Sequence, residues 1–96
     1  MNRDDVVKIL KKLKDEVSRA YKADIKGIFG SCARDELAES SDIDVLVSFH
    51  AGTTLLDVSR LGDYLEEHLH RRVDLVSERA IRKEIEPFIL QDMIAL

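Results

Sequence analysis

Val6, Leu10, Leu13 and Val17 recur at i, i+4, i+7 and i+11, which predicts an amphipathic helix over residues 4–21. Asp4 or Asp5 stands near its positive end. Lys8, Lys11, Lys12 and Lys14 fill much of the opposite face, but Asp4, Asp15 and Glu16 are interleaved with them. That mixture reads as a solvated face laced with i, i+4 pairs rather than as a phosphate-binding stripe. Residues 24–29 then predict a short strand ending at Gly30, residues 32–38 a short helix, and residues 39–41 a turn. Residues 42–49 form the strongest strand signal, being rich in β-branched and aromatic side chains. Thr53 or Thr54 can cap a second long helix whose apolar positions are Leu55, Val58, Leu61, Leu65 and Leu69. Residues 72–77 predict a third strand. A last helix is expected from near Glu78, interrupted around Pro87, closing with Phe88, Ile89, Leu90 and Ile94.

The order α-β-α-β-α-β-α implies helices packed on a sheet, an α+β two-layer fold. The short link between the first two strands allows an antiparallel pair, and the helix between the second and third allows a right-handed parallel crossover. A small mixed three-stranded sheet is therefore expected. With 96 residues, and only four glycines and one proline, no linker or repeat divides the chain, and residues 1–96 are expected to be one domain. A 45% hydrophobic fraction excludes intrinsic disorder. No apolar run approaches the ~18 residues of a membrane span. A net charge of −4 argues against broad nucleic-acid binding. The single cysteine, Cys32, cannot form an internal disulfide, so a cytoplasmic location is expected.

Three aspartates sit badly in this apolar pattern. Asp42 and Asp44 flank Ile43 at the start of the most apolar strand, and Asp74 interrupts Val73-Asp74-Leu75-Val76. Alternation along a strand puts Asp42 and Asp44 on one face, about 6.6–6.8 Å apart by Cα. If the second and third strands are neighbours, all three carboxylates can share a patch. Clustered, partly buried carboxylates repel one another unless a cation neutralises them, and hard oxygen ligands suit Mg²⁺ or Mn²⁺. Two such ions, ~3.5–4 Å apart, can hold the attacking and leaving oxygens of a phosphoryl displacement. Upstream, Gly30 lets a ligand approach the backbone, the Ser31 hydroxyl can donate to a phosphate, and Arg34 can place a cation nearby. Taken singly, each feature has an ordinary structural explanation: a turn, a cap or a solvated edge.

Combined, Gly30-Ser31-Cys32-Ala33-Arg34 and Ser41-Asp42-Ile43-Asp44-Val45-Leu46-Val47 resemble the signature of the DNA polymerase β-like nucleotidyltransferase superfamily. The likeness is to its minimal nucleotidyltransferases, small proteins usually encoded beside a HEPN-domain toxin. It extends through Leu55-Leu56-Asp57, Arg72-Val73-Asp74-Leu75-Val76 and Ile89-Leu90. The resemblance implies a polymerase β palm-like fold. It gives Gly30 and Ser31 the triphosphate of ATP, with Arg34 in support. It gives Asp42 and Asp44 two Mg²⁺ ions, and makes Asp74 the third carboxylate, which shares the catalytic metal and activates the attacking hydroxyl. The implied activity moves AMP to a hydroxyl, such as a tyrosine of the toxin, so that the chain acts as antitoxin. A purely steric antitoxin and a small-molecule nucleotidyltransferase are the alternatives, and a homo-oligomer is left open. His70 departs from the pattern, standing where a glycine is expected before the third strand.

Other candidates carry less. His68 and His70 are two apart at a helix end and do not face each other, so they make a poor metal pair. Cys32 reads as a small packing residue. Arg71, Arg72, Arg79, Arg82 and Lys83 read as a solvated rim. A haloacid-dehalogenase-type phosphatase would place its aspartates after the apolar run, and no EF-hand loop is present.

Overall fold

The computed structural model describes residues 1–96. The first helix, α1, spans Arg3–Tyr21 and is held at its start by a capping box. The Asn2 side chain accepts from the Asp5 N–H while the Asp5 carboxylate accepts from the Asn2 N–H. It buries Val6, Leu10 and Val17, three of the four positions its period picks out, and ends at Lys22 in the left-handed conformation. Strand β1, Ala23–Phe29, leads straight into α2, Gly30–Ala33, and strand β2 follows at Ile43–Phe49.

Helix α3, Leu55–Leu69, settles the capping choice in favour of Thr54, which forms a second capping box with Asp57. It buries Leu61, Leu65 and Leu69. Strand β3, Val73–Ser77, is followed by a single 3₁₀ turn at Glu78–Ala80. Helix α4, Glu86–Asp92, and strand β4, Ile94–Ala95, complete the chain.

The sheet order is β3-β2-β1-β4. Strands β1 and β2 run antiparallel and β2 and β3 parallel, as the connection lengths require. Ile25, Ile28, Ile43, Val45 and Val47 pack with the apolar stripes of α1 and α3 in one core cluster. No helix is long and apolar enough to cross a membrane.

Three expectations need correction. The helix expected over 32–38 is a single turn ending at Ala33, because Asp35 takes φ +58°, a left-handed conformation that no α-helix continues through. The sheet has four strands, not three. Ile94 was expected in the last helix, but it pairs antiparallel with Ile28, and Ala95 with Gly27. The final helix starts at Glu86 rather than Glu78, with Pro87 in its first turn where a missing N–H costs nothing.

Candidate active site

The register of the sheet decides which acidic residues meet. Asp44 stands opposite Phe29 on β1 and level with Asp74 on β3. One strand neighbour therefore delivers Gly30, the residue after Phe29, and the other delivers a second carboxylate. Gly30 has φ +69°, and a Cβ added there would overlap the Asp44 Oδ2. The glycine is needed on both counts: its backbone conformation disfavours L side chains, and the carboxylate occupies the space a side chain would take.

Asp44 is half-buried, whereas Asp42 and Asp74 are exposed. Burial pushes the Asp44 carboxyl above its ordinary value, and the neighbouring charges of Asp74 and Asp42 push the same way. When protonated, Asp44 also hydrogen-bonds the Asp74 carboxylate, while the positive charge of Arg34 opposes the shift. Such a pair carries uncompensated negative charge and offers hard oxygen donors, which fits a divalent cation.

The three aspartates are not gathered equally. No three acidic, histidine or cysteine side chains close into a metal cage. Asp42 lies just before β2, and its Oδ1 is 3.5 Å from Arg72 Nε. Gly30 and Ser31 sit at the start of α2, beside Asp44, as their positions in the chain suggest. Since α2 is one turn long, any anion there would rely on individual N–H groups and the Ser31 hydroxyl rather than on a helix dipole. Arg34 is exposed; its Nε lies 3.1 Å from Glu36 Oε2 and its Nη1 3.7 Å from Asp92 Oδ2 on α4.

Two residues read as solvated rim are part of the scaffold. The Arg71 Nη2 donates to the carbonyls of Ala38 and Ser41, the latter at 3.2 Å, and so pins the loop that delivers Asp42. Arg72, besides its ion pair, supplies the carbonyl that accepts the Ile43 N–H at 2.8 Å, joining the starts of β2 and β3. Only their position immediately before the third strand could have signalled this. Asp57 of the Leu-Leu-Asp segment is the partner of Thr54 in the α3 capping box; its carboxylate accepts from the Thr54 backbone N–H, which holds it below the usual value. Cys32 is fully buried, and burial, reinforced by the Asp35 charge, lifts its thiol to about 11, as suits a packing residue.

The family described as nucleotidyltransferase domain matches residues 8–96. The protein adenylyltransferase MntA of Thermococcus cleftensis is 34% identical over 91 residues, covering 95% of this chain and 92% of that protein. A solved structure provisionally described as a minimal nucleotidyltransferase superposes with a TM-score of 0.85 at 38% identity, over 100% of this chain and 97% of that one. A toxin–antitoxin structure with AMP-PNP superposes with a TM-score of 0.68 at 21% identity, over 99% of this chain and 72% of that one. At that identity the likeness is one of fold.

Proposed function

The chain belongs to the nucleotidyltransferase domain family, and from that membership we propose that it is an adenylyltransferase that moves AMP from ATP to a hydroxyl. The observation that carries the reading is the register match of Asp44 with Asp74, with Gly30 closed against Asp44. Asp42 and Asp44, with Asp74, are the residues that would hold Mg²⁺ or Mn²⁺, and the exposed ion pair of Asp42 with Arg72 is of a kind that costs little to exchange. Two bound ions would neutralise the triphosphate and the pyrophosphate that leaves.

The chain's own groups do the rest. The Gly30 backbone and the Ser31 hydroxyl hold phosphate oxygens, and Arg34 adds a cation at the rim. Asp74 takes the proton of the acceptor hydroxyl as its oxygen bonds to the α-phosphorus, and the bond to the β-phosphate oxygen breaks in line. The acceptor we propose is a tyrosine hydroxyl of a HEPN-domain toxin, whose modification makes this chain the antitoxin. The names of the relatives support this: one is a protein adenylyltransferase, and one neighbour of the same fold is a toxin–antitoxin pair with an ATP analogue.

The test incubates the protein with labelled ATP, Mg²⁺ and a purified candidate toxin. Label is expected on the toxin with the wild type and not with Asp42→Asn/Asp44→Asn. Equal labelling by the double variant would refute the mechanism. Full neutralisation of the toxin without label would favour a steric antitoxin instead.

A further inference from the structure

Asp42 is the one carboxylate of the three that stands outside a strand. It precedes β2, and none of residues 38–42 is buried. What fixes it comes from the neighbouring segment, where the chain turns from α3 into β3. His70 ends α3 with its N–H on the Glu66 carbonyl at 2.8 Å, and Val73 opens β3 with its N–H on Glu66 Oε2 at 2.9 Å. Glu66 thus clamps both ends of this segment, and Arg71 reaches out from a fixed base. Its Nη2 donates to the carbonyls of Ala38 and Ser41. Those carbonyls belong to a closed turn. The Ser41 N–H donates to the Ala38 carbonyl at 3.0 Å, and the Ala38 N–H donates to Ser41 Oγ at 3.2 Å. Arg71 therefore holds the turn as a unit, immediately before Asp42. Immediately after it, the Ile43 N–H donates to the Arg72 carbonyl. The Asp42 backbone is bracketed on both sides by two consecutive residues.

We propose that Arg71 is a positioning residue for the metal site: by fixing the Ala38–Ser41 turn, it sets the Asp42 backbone so that the carboxylate can join Asp44 and Asp74 on one cation. This rests on Asp42 being a metal ligand. Arg71 acts through geometry and not through its charge. A cation beside a divalent-ion site repels the ion, so removing the charge alone tightens binding. Removing the anchor loosens binding, because a ligand oriented from outside the coordination sphere loses its orientation with its support. Arg72 is the contrast that the same chain supplies. Its exposed side chain pairs with the Asp42 carboxylate itself, Nε to Oδ1 at 3.5 Å, so it competes with a cation for that oxygen. The two adjacent arginines thus act on one ligand with opposite sign.

The test is Mn²⁺ binding to the full chain, followed by electron paramagnetic resonance with neither nucleotide nor partner present. Arg71→Met should raise the Mn²⁺ Kd about tenfold, and Arg72→Gln should lower it about twofold. Arg71→Lys keeps the charge but ends one bond short of Nη2, and should raise the Kd about threefold. Hydrogen exchange of the Ser41 and Ile43 amides should quicken in Arg71→Met while the β1 amides stay protected, with circular dichroism confirming the fold. Tighter or unchanged Mn²⁺ binding in both Arg71 variants would overturn the proposal, leaving Arg71 a charge or a surface residue. If Arg71→Met does not fold, Arg71→Lys alone decides. Equal quickening of the β1 amides would overturn it too, as a general loosening of the fold. Asp42→Asn separates these failures from failure of the site: a wild type that binds Mn²⁺ no more tightly than Asp42→Asn would remove the metal-binding role of Asp42, and the proposal with it.

Discussion

Replacing Gly30 by alanine separates two physical costs that meet at one residue. The first is backbone: a non-glycine residue in the left-handed region costs about 1–2 kcal/mol, of which about 0.4–1 kcal/mol is returned because alanine has less freedom to lose on folding. Gly52 offers the control. It has φ +85° with nothing within 4 Å of an added Cβ, so Gly52→Ala should carry the backbone cost alone. At Gly30 the new methyl also meets the Asp44 carboxylate. Driving that side chain off its rotamer adds about 0.5–1.5 kcal/mol. Gly30→Ala should therefore melt about 2–12 °C below Gly52→Ala, at roughly 4–8 °C per kcal/mol for a chain of this size. A shift of Asp44 by ~1 Å should also cost adenylyl transfer on the order of a hundredfold. Thermal melts of Gly30→Ala, Asp44→Ala and the double variant complete the cycle. Because Asp44→Ala removes the obstructing carboxylate, the double variant should be more stable than the sum of the singles predicts. Equal melting of the two glycine variants, or strict additivity in the cycle, would refute the contact between Gly30 and Asp44.

Other consequences follow from charge and backbone. Asp44 has its carboxyl raised above 3.8 in the fold, so ionising it as pH climbs past that value costs stability. Asp44→Asn should therefore have the higher urea midpoint at pH 7 in chelator, with the gap closing toward pH 3, and Mg²⁺ should stabilise only the wild type. Asp24 is the opposite case. Its hydrogen bond to His50, 3.0 Å from His50 Nε2, holds its carboxyl below 3.8. Its stabilisation is present above pH 3.8 and lost as pH falls through the depressed value, so the difference between wild type and Asp24→Asn should vanish in acid and shrink in salt. His70 ends α3 at φ +55°. His70→Gly should relieve about 1–2 kcal/mol of left-handed strain against ~0.5–1 kcal/mol of added chain entropy, raising the melting temperature by a few degrees. An unchanged or lower value would show that the imidazole makes a compensating contact.

The tyrosines and histidine of the helical layer show how unevenly sequence and fold share the information. Tyr21 and Tyr64 stack at 4.6 Å between centroids, with His68 4.4 Å beyond, tying α1 to α3. Tyr21 and Tyr64 fall at helix positions where partial burial is the default, and both are half-buried, but nothing in the spacing of residues 21 and 64 pairs them.

What the chain determines by itself is whatever repeats locally. The periods of α1 and α3, the β-branched runs of β2 and β3 and the caps at both helix starts depend on neighbours within a turn or two. The same locality made Asp44 and Asp74 conspicuous, as charges inside apolar runs; that position 70 is a glycine position came from the family resemblance, and the left-handed backbone of His70 agrees with it. Tertiary structure alone decided the contacts between distant segments. Strand β4 is two residues long and exists because the β1 edge has free hydrogen-bonding groups at Gly27 and Ile28; a pair of residues carries no period to read. The Gly30–Asp44 contact, the level pairing of Asp44 with Asp74 and the division of Arg71 and Arg72 between loop carbonyls and Asp42 all follow from the registers of β1, β2 and β3. Register is set by how whole strands bury one face against α1 and α3, so it belongs to the packed core and to no single segment.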